Sequence, residues 1–209
     1  MPKRPRLTPD RIVATAMDLL DREGEKGFSM RKLAAAMEVD PMALYHHHPG
    51  RAALMHAVMD ALLRDCALPA RSGDWRRDLH ALCSALRQLA HRHPGAFRIY
   101  ETYEEWVPGE HRLHEAFHAT LLEAGFDART VVRAVRLLLT YTEAFAVDEI
   151  SGWLDPPDAE ERAELARSLA EGSCPAMMRL FDDLIMVYPD AEFEFGLGLL
   201  IRGLEAMPR

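Results

Sequence analysis

Apolar residues recur every three or four positions along almost the whole chain, and no stretch alternates convincingly with a period of two. A chain patterned this way hides its apolar faces by packing helix on helix. Proline and glycine then cut the pattern into helix lengths. Breakers stand at Pro94, Pro108–Gly109, Gly125, Pro156–Pro157, Gly172, Pro175 and Pro189. Between them the spacing predicts helices over roughly 74–93, 95–106, 109–124, 127–152, 158–171, 175–187 and 190–207. The fold class is all-α, and 209 residues are enough to bury a real core.

The first 65 residues read as four helices with explicit start signals. Thr8 suits an N-cap, Pro9 the first helical position, and Asp10 the positive end of the dipole. Ile12, Val13, Ala16, Met17, Leu19 and Leu20 make one apolar face, and Gly24 and Gly27 punctuate it. Ser29 can cap a second, short helix with Leu33, Ala34 and Met37 inward. Asp40–Pro41 repeats the cap-plus-proline start, and Met42 to His47 gives about two turns. Pro49–Gly50 ends them, and a fourth helix runs from about Arg51 to Asp65. Two short helices joined by a tight turn and braced on both sides form a helix-turn-helix pattern. The second helix of such a pair must be short and polar outside to enter a major groove about 12 Å wide. Its outer face here offers Met42, Tyr45, His46 and His47, while Leu44 packs inward.

Charge divides the chain at the same place. The formal net charge is −8, but residues 1–64 carry +2 and the remaining 145 carry −10. A mildly basic head on an acidic body suits binding of a polyanion at one end only. Other classes fall away. The N-terminus has no apolar stretch after its basic residues, so no secretory signal is expected. The most apolar window, Val131 to Val147, is interrupted by Arg133, Arg136 and Glu143, so no membrane span is expected. Cys66, Cys83 and Cys174 form no CxxC pair, and a reducing cytoplasm is the expected location. No G-x-S-x-G, HExxH, phosphate loop or cysteine–histidine signature appears, so no catalytic residue is assigned and an enzyme is not expected.

The run from Leu7 to about Leu63 resembles the TetR family of transcriptional repressors. The resemblance rests on TPDRIVATAMDLLDREG followed by FSMRKLAAAMEVDPMALYHHHPGRAALM, with the shape S-x-R-x-L-A, then V-x-x-x-x-L-Y-x-H, then a basic residue before A-x-L. The C-terminal FEFGLGLLIRGLEAM also looks like the end of members whose effector domain resembles that of the tetracycline repressor. The resemblance implies a helix-turn-helix domain over 1–50 with a basic arm, a connecting helix over 51–65, and a larger ligand-binding and dimerisation domain over 66–209. It further implies that Ser29, Arg31 and Lys32 meet phosphate or a base edge. Pro41, Met42 and Ala43 would face bases, and Tyr45, His46, His47 and Arg51 would contact phosphate or flank it. Affinity would rest on Arg31, Lys32, Arg51 and the arm at 3–6. Glu38 departs from the pattern, standing where the turn usually has glycine; a positive φ there costs about 1 kcal/mol. His48 stands where the family usually has an apolar residue. Consecutive histidines point about 100° apart on a helix, so His46–His48 do not converge on a metal; their protonation would strengthen phosphate binding below about pH 6.5.

The body carries softer signals. His111, His114 and His118 share one helix face, which suits a metal, a polar corner of a pocket, or plain structure. Aromatic residues crowd the middle of the body, from Phe97, Tyr100, Tyr103 and Trp106 to Tyr141, Phe145 and Trp153. Among these and the histidines, Tyr100, His114, Phe117 and Tyr141 are the candidates for an effector pocket. The last helix has Gly196, Gly198 and Gly203 inside it, and glycine in a helix costs about 1 kcal/mol relative to alanine. Close approach of another helix would offset that, so Phe145, Gly196, Leu200, Gly203 and Leu204 are candidates for a dimer interface. The implied partners are a double-stranded DNA operator, a second copy of the chain and a small-molecule effector, with no cofactor, no metal and no membrane. A constitutive DNA-binding protein or an activator remains the alternative to a ligand-released repressor.

Overall fold

A computed structural model describes residues 6–100 and 106–207, and among these it shows twelve helices and no strand. They form two compact units. Among the described residues, one unit holds those up to Val147 together with Met207, and the other is Asp148–Ala206. This division by packing does not follow the expected boundary at 65/66. The reason is that the fourth helix is not a free connector but lies among its neighbours in the first unit.

The first unit begins with α1 (Pro9–Gly27), α2 (Met30–Met37), α3 (Pro41–Tyr45) and α4 (Arg51–Asp65), and continues with α5 (Trp75–Arg92), α6 (Pro94–Tyr100) and α7 (Pro108–Glu123). The long α8 (Ala128–Ser151) carries the chain into the second unit. The caps form as the sequence predicts. Thr8, Ser29 and Asp40 each accept a backbone N–H from the first turn of their helix, at 3.3, 3.1 and 2.8 Å. Helix α1 packs on α2, α4 and α6, and α4 packs on α6 and α7. Ile12, Leu20, Leu33, Leu44, Leu54, Met55, Leu62, Leu63, Phe97 and Phe117 are fully enclosed between these helices.

Three element boundaries differ from expectation. Helix α1 runs on to Gly27, but Gly24 sits at φ 67°, ψ 177° and kinks it. Helix α3 ends at Tyr45 rather than His47, because His47 and His48 both turn back to the Leu44 carbonyl at 3.0 and 2.9 Å. The helix expected over 95–106 is seen as far as Tyr100, with Trp106 outside any helix; Tyr103 and the rest of 101–105 lie outside the described residues, as do arm residues 1–5.

The second unit contains α9 (Ala159–Glu171), α10 (Pro175–Arg179), α11 (Phe181–Ile185) and α12 (Pro189–Glu205). Asp158 and Glu161 cap α9 reciprocally. The single helix expected over 175–187 is broken at Leu180, whose backbone leaves helical geometry at φ −102°, ψ 10°. Met177, Met178, Leu180 and Leu184 are all exposed, and Ile185 alone in this segment is buried, so little packing holds it straight.

Candidate DNA-binding head and effector cavity

The tight turn between α2 and α3 aims α3 outward. Glu38 ends α2 in the left-handed region at φ 55°, ψ 42°, and its N–H and that of Val39 close the last turn onto Ala35 and Ala34 carbonyls at 3.1 and 3.0 Å. The strain expected of a non-glycine residue there is therefore present. Leu44 anchors α3 with no exposed surface, while Pro41, Met42, Tyr45, His46 and His47 stand in solvent and Ala43 is half-buried. Met42, 63% exposed, is the most prominent apolar group of the head. An apolar tip flanked by a tyrosine hydroxyl and two imidazoles suits thymine methyls and phosphates.

The cations divide into two kinds. Arg31 is exposed and makes no ion pair among the described residues. Lys32 pairs with Glu23 at 2.5 Å. Arg51 pairs with Glu25 at 2.8 Å, donates to the Phe28 carbonyl at 3.2 Å and lies 5.3 Å above the Phe28 ring. Arg51 thus fastens the start of α4 to the α1–α2 corner. Ser29 uses its oxygen to cap α2, which leaves its hydroxyl proton for a partner. His48 differs from its two neighbours, as its place at a usually apolar position suggests: it is buried at 8% exposure, its Nε2 has no hydrogen-bond partner, and burial, then neighbouring His47, push its pKa down against the pull of the Pro9 carbonyl. It faces the interior, so protonating it charges the core rather than the DNA surface.

Two clasps tie the head to the helices beyond it. Asp21 of α1 accepts the N–H groups of Gly95 and Ala96 at 2.9 and 3.1 Å and meets His93 Nδ1 at 3.0 Å. Asp60 of α4 accepts the Gly109 N–H at 2.8 Å. Arg112 of α7 donates to the Leu63, Arg64 and Cys66 carbonyls at 3.1, 2.9 and 2.8 Å, satisfying the open end of α4. Both glycines are required by distance. A Cβ on Gly95 would lie 2.0 Å from the Leu20 carbonyl oxygen, and one on Gly109 2.8 Å from that of Asp60.

The same two helices wall a cavity of about 370 Å³. Tyr100 ends α6. Glu110, His114 and His118 project from α7 with Trp106 just before it, and α8 contributes Val132, Val135, Leu139, Arg136, Thr140 and Glu143. The Trp106, His114 and His118 rings follow one another with centroids 4.8 and 6.0 Å apart. The Tyr100 hydroxyl donates to Glu143 Oε1 at 3.1 Å. Burial, then the charges of His118 and His111, push the His114 pKa down, and burial pushes the Glu110 carboxyl up. Of the four pocket residues expected from the sequence, Tyr100 and His114 line this cavity. Phe117 is fully enclosed in the core, and Tyr141 is not among the lining residues but packs on Phe145. His118, read as one possible polar corner of a pocket, and Trp106, one of the body's aromatics, also line it, while Glu110 and Glu143 were missed; the i, i+4, i+8 spacing of Glu110, His114 and His118 was the available signal. The shared face of the histidines does not focus on a point: His118 Nδ1 donates to the His114 carbonyl at 2.7 Å and exposed His111 stacks on Trp106. Among the described residues no group of three or more His, Cys, Asp or Glu side chains could hold a metal ion.

On α12 the expected interface residues divide. Leu204 is buried within the protomer, Gly196 and Leu200 are half-buried, and Gly203 is exposed with open space beside it. Phe195 and Leu199, which the sequence reading passed over, stand 65% and 50% exposed one turn apart. Phe145 of α8 is half-buried beneath the Arg87 guanidinium, 5.9 Å from its ring. Among the described residues no helix is long and apolar enough to cross a membrane.

A short outward-facing helix seated on a three-helix head, followed by a larger helical body, defines a helix-turn-helix regulator. Residues 12–58 match the family model for bacterial regulatory proteins of the tetR family, and residues 68–208 match the tetracyclin repressor-like C-terminal domain. An HTH-type transcriptional regulator of Saccharopolyspora erythraea is 32% identical over 206 residues, covering 97% of this chain and 86% of its own. The class C tetracycline repressor of Escherichia coli is 32% identical over 209 residues, covering 97% of this chain and 92% of its own. The crystal structure of Streptomyces coelicolor ActR in complex with actinorhodin matches with a TM-score of 0.83 at 28% identity, covering 97% and 98% of the two chains. The chain belongs to the TetR family of transcriptional regulators, a family of DNA-binding proteins rather than enzymes.

Proposed function

We propose that this protein is a homodimeric repressor that holds a palindromic operator through residues 1–50 of each protomer and leaves it when a small molecule enters the cavity of the body, residues 66–209. The reading rests above all on the two clasps. Helices α6 and α7 wall the cavity, and the same helices grip α1 and α4 through Asp21–Gly95 and Asp60–Gly109. A ligand that binds better to one spacing of α6 and α7 biases the position of the recognition helix, by an amount equal to its differential affinity for the two states. Helix 51–65 is the lever. ActR, which has this fold, is seen with actinorhodin bound, which supports a small-molecule effector here.

Dimerisation places two α3 helices on half-sites about one helical turn apart. The exposed Phe195 and Leu199, with Gly196, Leu200 and Gly203 beside them, supply the apolar surface for it on α12, and α8 supplies a second helix. The protein acts in the cytoplasm, where its operator lies. The test is fluorescence anisotropy of labelled DNA from the region flanking the coding sequence, with ultracentrifugation of the free protein. Saturable binding of one dimer per palindrome, released by a compound that fails to release a Leu139→Trp variant with a filled cavity, is the expected result. A monomer at micromolar concentration, or operator binding indifferent to a broad panel of small molecules, overturns it.

A further inference from the structure

The cavity walled by α6, α7 and α8 is unevenly charged, and the imbalance identifies a class of ligand. We propose that it takes an organic cation, with a protonated or quaternary nitrogen held between the Trp106 ring and the Glu110 carboxylate and an apolar body lying on Val132, Val135 and Leu139. This deepens the reading of the cavity as the effector site and rests on it.

Glu110 is the centre of the case. Its side chain is only 15% exposed, and its nearest basic partner is His114 Nε2 at 3.7 Å. No lysine or arginine pairs with it among the described residues. His114 is a poor counter-charge, because burial and the neighbouring His118 and His111 hold it toward its neutral form. The Tyr100 hydroxyl, which also reaches Glu143 Oε1, and the Val107 N–H both serve the Glu110 carboxylate, so its donors are neutral. What it lacks is a cationic partner, and burial, the largest influence on it, lifts its pKa.

The remaining walls demand the same thing. His118 gives its Nδ1 proton to the His114 carbonyl, so its Nε2 is an acceptor in the neutral ring. Two carboxylates, Glu110 and Glu143, face the cavity against one guanidinium, Arg136. An anionic ligand would meet more repulsion than attraction. Trp106 presents a ring 57% exposed beside Glu110, and an indole face is the strongest aromatic partner for a cation. Val132, Val135 and Leu139 give the α8 wall an aliphatic strip, and in a cavity of about 370 Å³ a bare inorganic ion would leave most of the space unfilled.

Isothermal titration of the full-length protein with two probes of similar size tests the idea: 2-naphthylmethyltrimethylammonium, whose charge is permanent, and 2-naphthylacetate. The cation is expected to bind about tenfold or more tighter than the anion, and Glu110→Gln to abolish that preference by weakening the cation without weakening the anion. Trp106→Leu should weaken the cation alone. Thermal midpoints of both variants control for folding. Cation affinity should rise with pH as Glu110 ionises, over a range displaced above that of an ordinary glutamate. Tyr100 on α6, His111, His114 and His118 on α7, and Arg136 and Glu143 on α8 also face the site, so the part of this rise lost in Glu110→Gln is the part that counts. Equal or tighter binding of the anion, failure of the cation to saturate, or an unchanged cation affinity in Glu110→Gln overturns the proposal. If the cation binds through Glu110 but leaves operator affinity unchanged, the cation site stands and the effector reading falls. If another compound releases the operator while the cation does not bind, the reverse holds.

Discussion

Asp21 and Gly95 are 74 positions apart in sequence, and the Asp21 carboxylate accepts the Gly95 N–H at 2.9 Å. The contact caps the first turn of α6, which begins at Pro94, from a neighbouring helix. It requires glycine because the α1 backbone at Leu20 occupies the space a Cβ would take. Asp21→Ala removes three polar contacts and should lower stability by about 2 kcal/mol. Gly95→Ala should cost about 3 kcal/mol, because backbone rather than a flexible side chain must move. Denaturant titration measures both. In Asp21→Ala, operator affinity should also become less responsive to the effector, since the route from α6 to α1 is loosened. A full response would show that the coupling runs elsewhere.

The head's cations should behave unequally on DNA. Arg31 has nothing to give up on meeting a phosphate, whereas Lys32 and Arg51 must first leave Glu23 and Glu25. Arg31→Ala should flatten the dependence of log affinity on log salt by about 1.8 for a dimer, the value for one lost phosphate contact per head. Arg51→Ala should change that slope less and lower the thermal midpoint instead, through loss of its bond to the Phe28 carbonyl and its stacking on the Phe28 ring. The sequence alone made these two arginines equivalent. Equal slopes for both variants would restore that view.

Glu38 offers a stabilising substitution. Its left-handed backbone penalises any side chain with a Cβ, and its carboxylate is exposed in the turn between the two helices that meet DNA. Glu38→Gly should raise stability by up to about 0.5 kcal/mol, the relief of about 1 kcal/mol of strain exceeding the extra entropy of glycine in the unfolded chain and the loss of the Glu38 side chain's own interaction. It should also tighten DNA binding by removing an acid near phosphate. A lowered melting temperature would show that the Glu38 side chain makes compensating contacts.

Legibility in the sequence followed the range of the interactions. The caps at Thr8, Ser29 and Asp40 were legible because each is made within three residues of its partner. The inward turn of Leu44 followed from helical period alone. The clasps at Asp21 and Asp60 were not legible: an aspartate on a helix surface and a glycine after a proline look ordinary until the fold brings them together. Phe117 illustrates the opposite error. It shares a region with the cavity histidines, yet its position on the α7 circumference sends it into the core, and the aromatic composition of the body could not distinguish the two faces.

His48 sets the sign of a pH effect on the fold. Burial holds its folded pKa below the ordinary imidazole value of 6.5. The unfolded chain therefore binds more protons in the interval between the two values, and stability rises with pH across it. The contribution is fully present above about pH 6.5 and is lost as pH falls through the folded value. His114 adds to this in the same direction, while the raised pKa of Glu110 opposes it at pH above 4.5. Comparison with a variant isolates the His48 share. His48→Leu replaces an imidazole whose Nε2 has no partner by an apolar group of similar bulk, at the loss of its attraction to the Pro9 carbonyl. It should raise the melting temperature more at about pH 5.5 than at about pH 8, and flatten the pH profile between them. Operator binding by this variant at about pH 8 should match the parent, because the side chain lies beneath the DNA-facing surface rather than on it. An unchanged pH profile would mean that the buried ring does not carry the proton dependence.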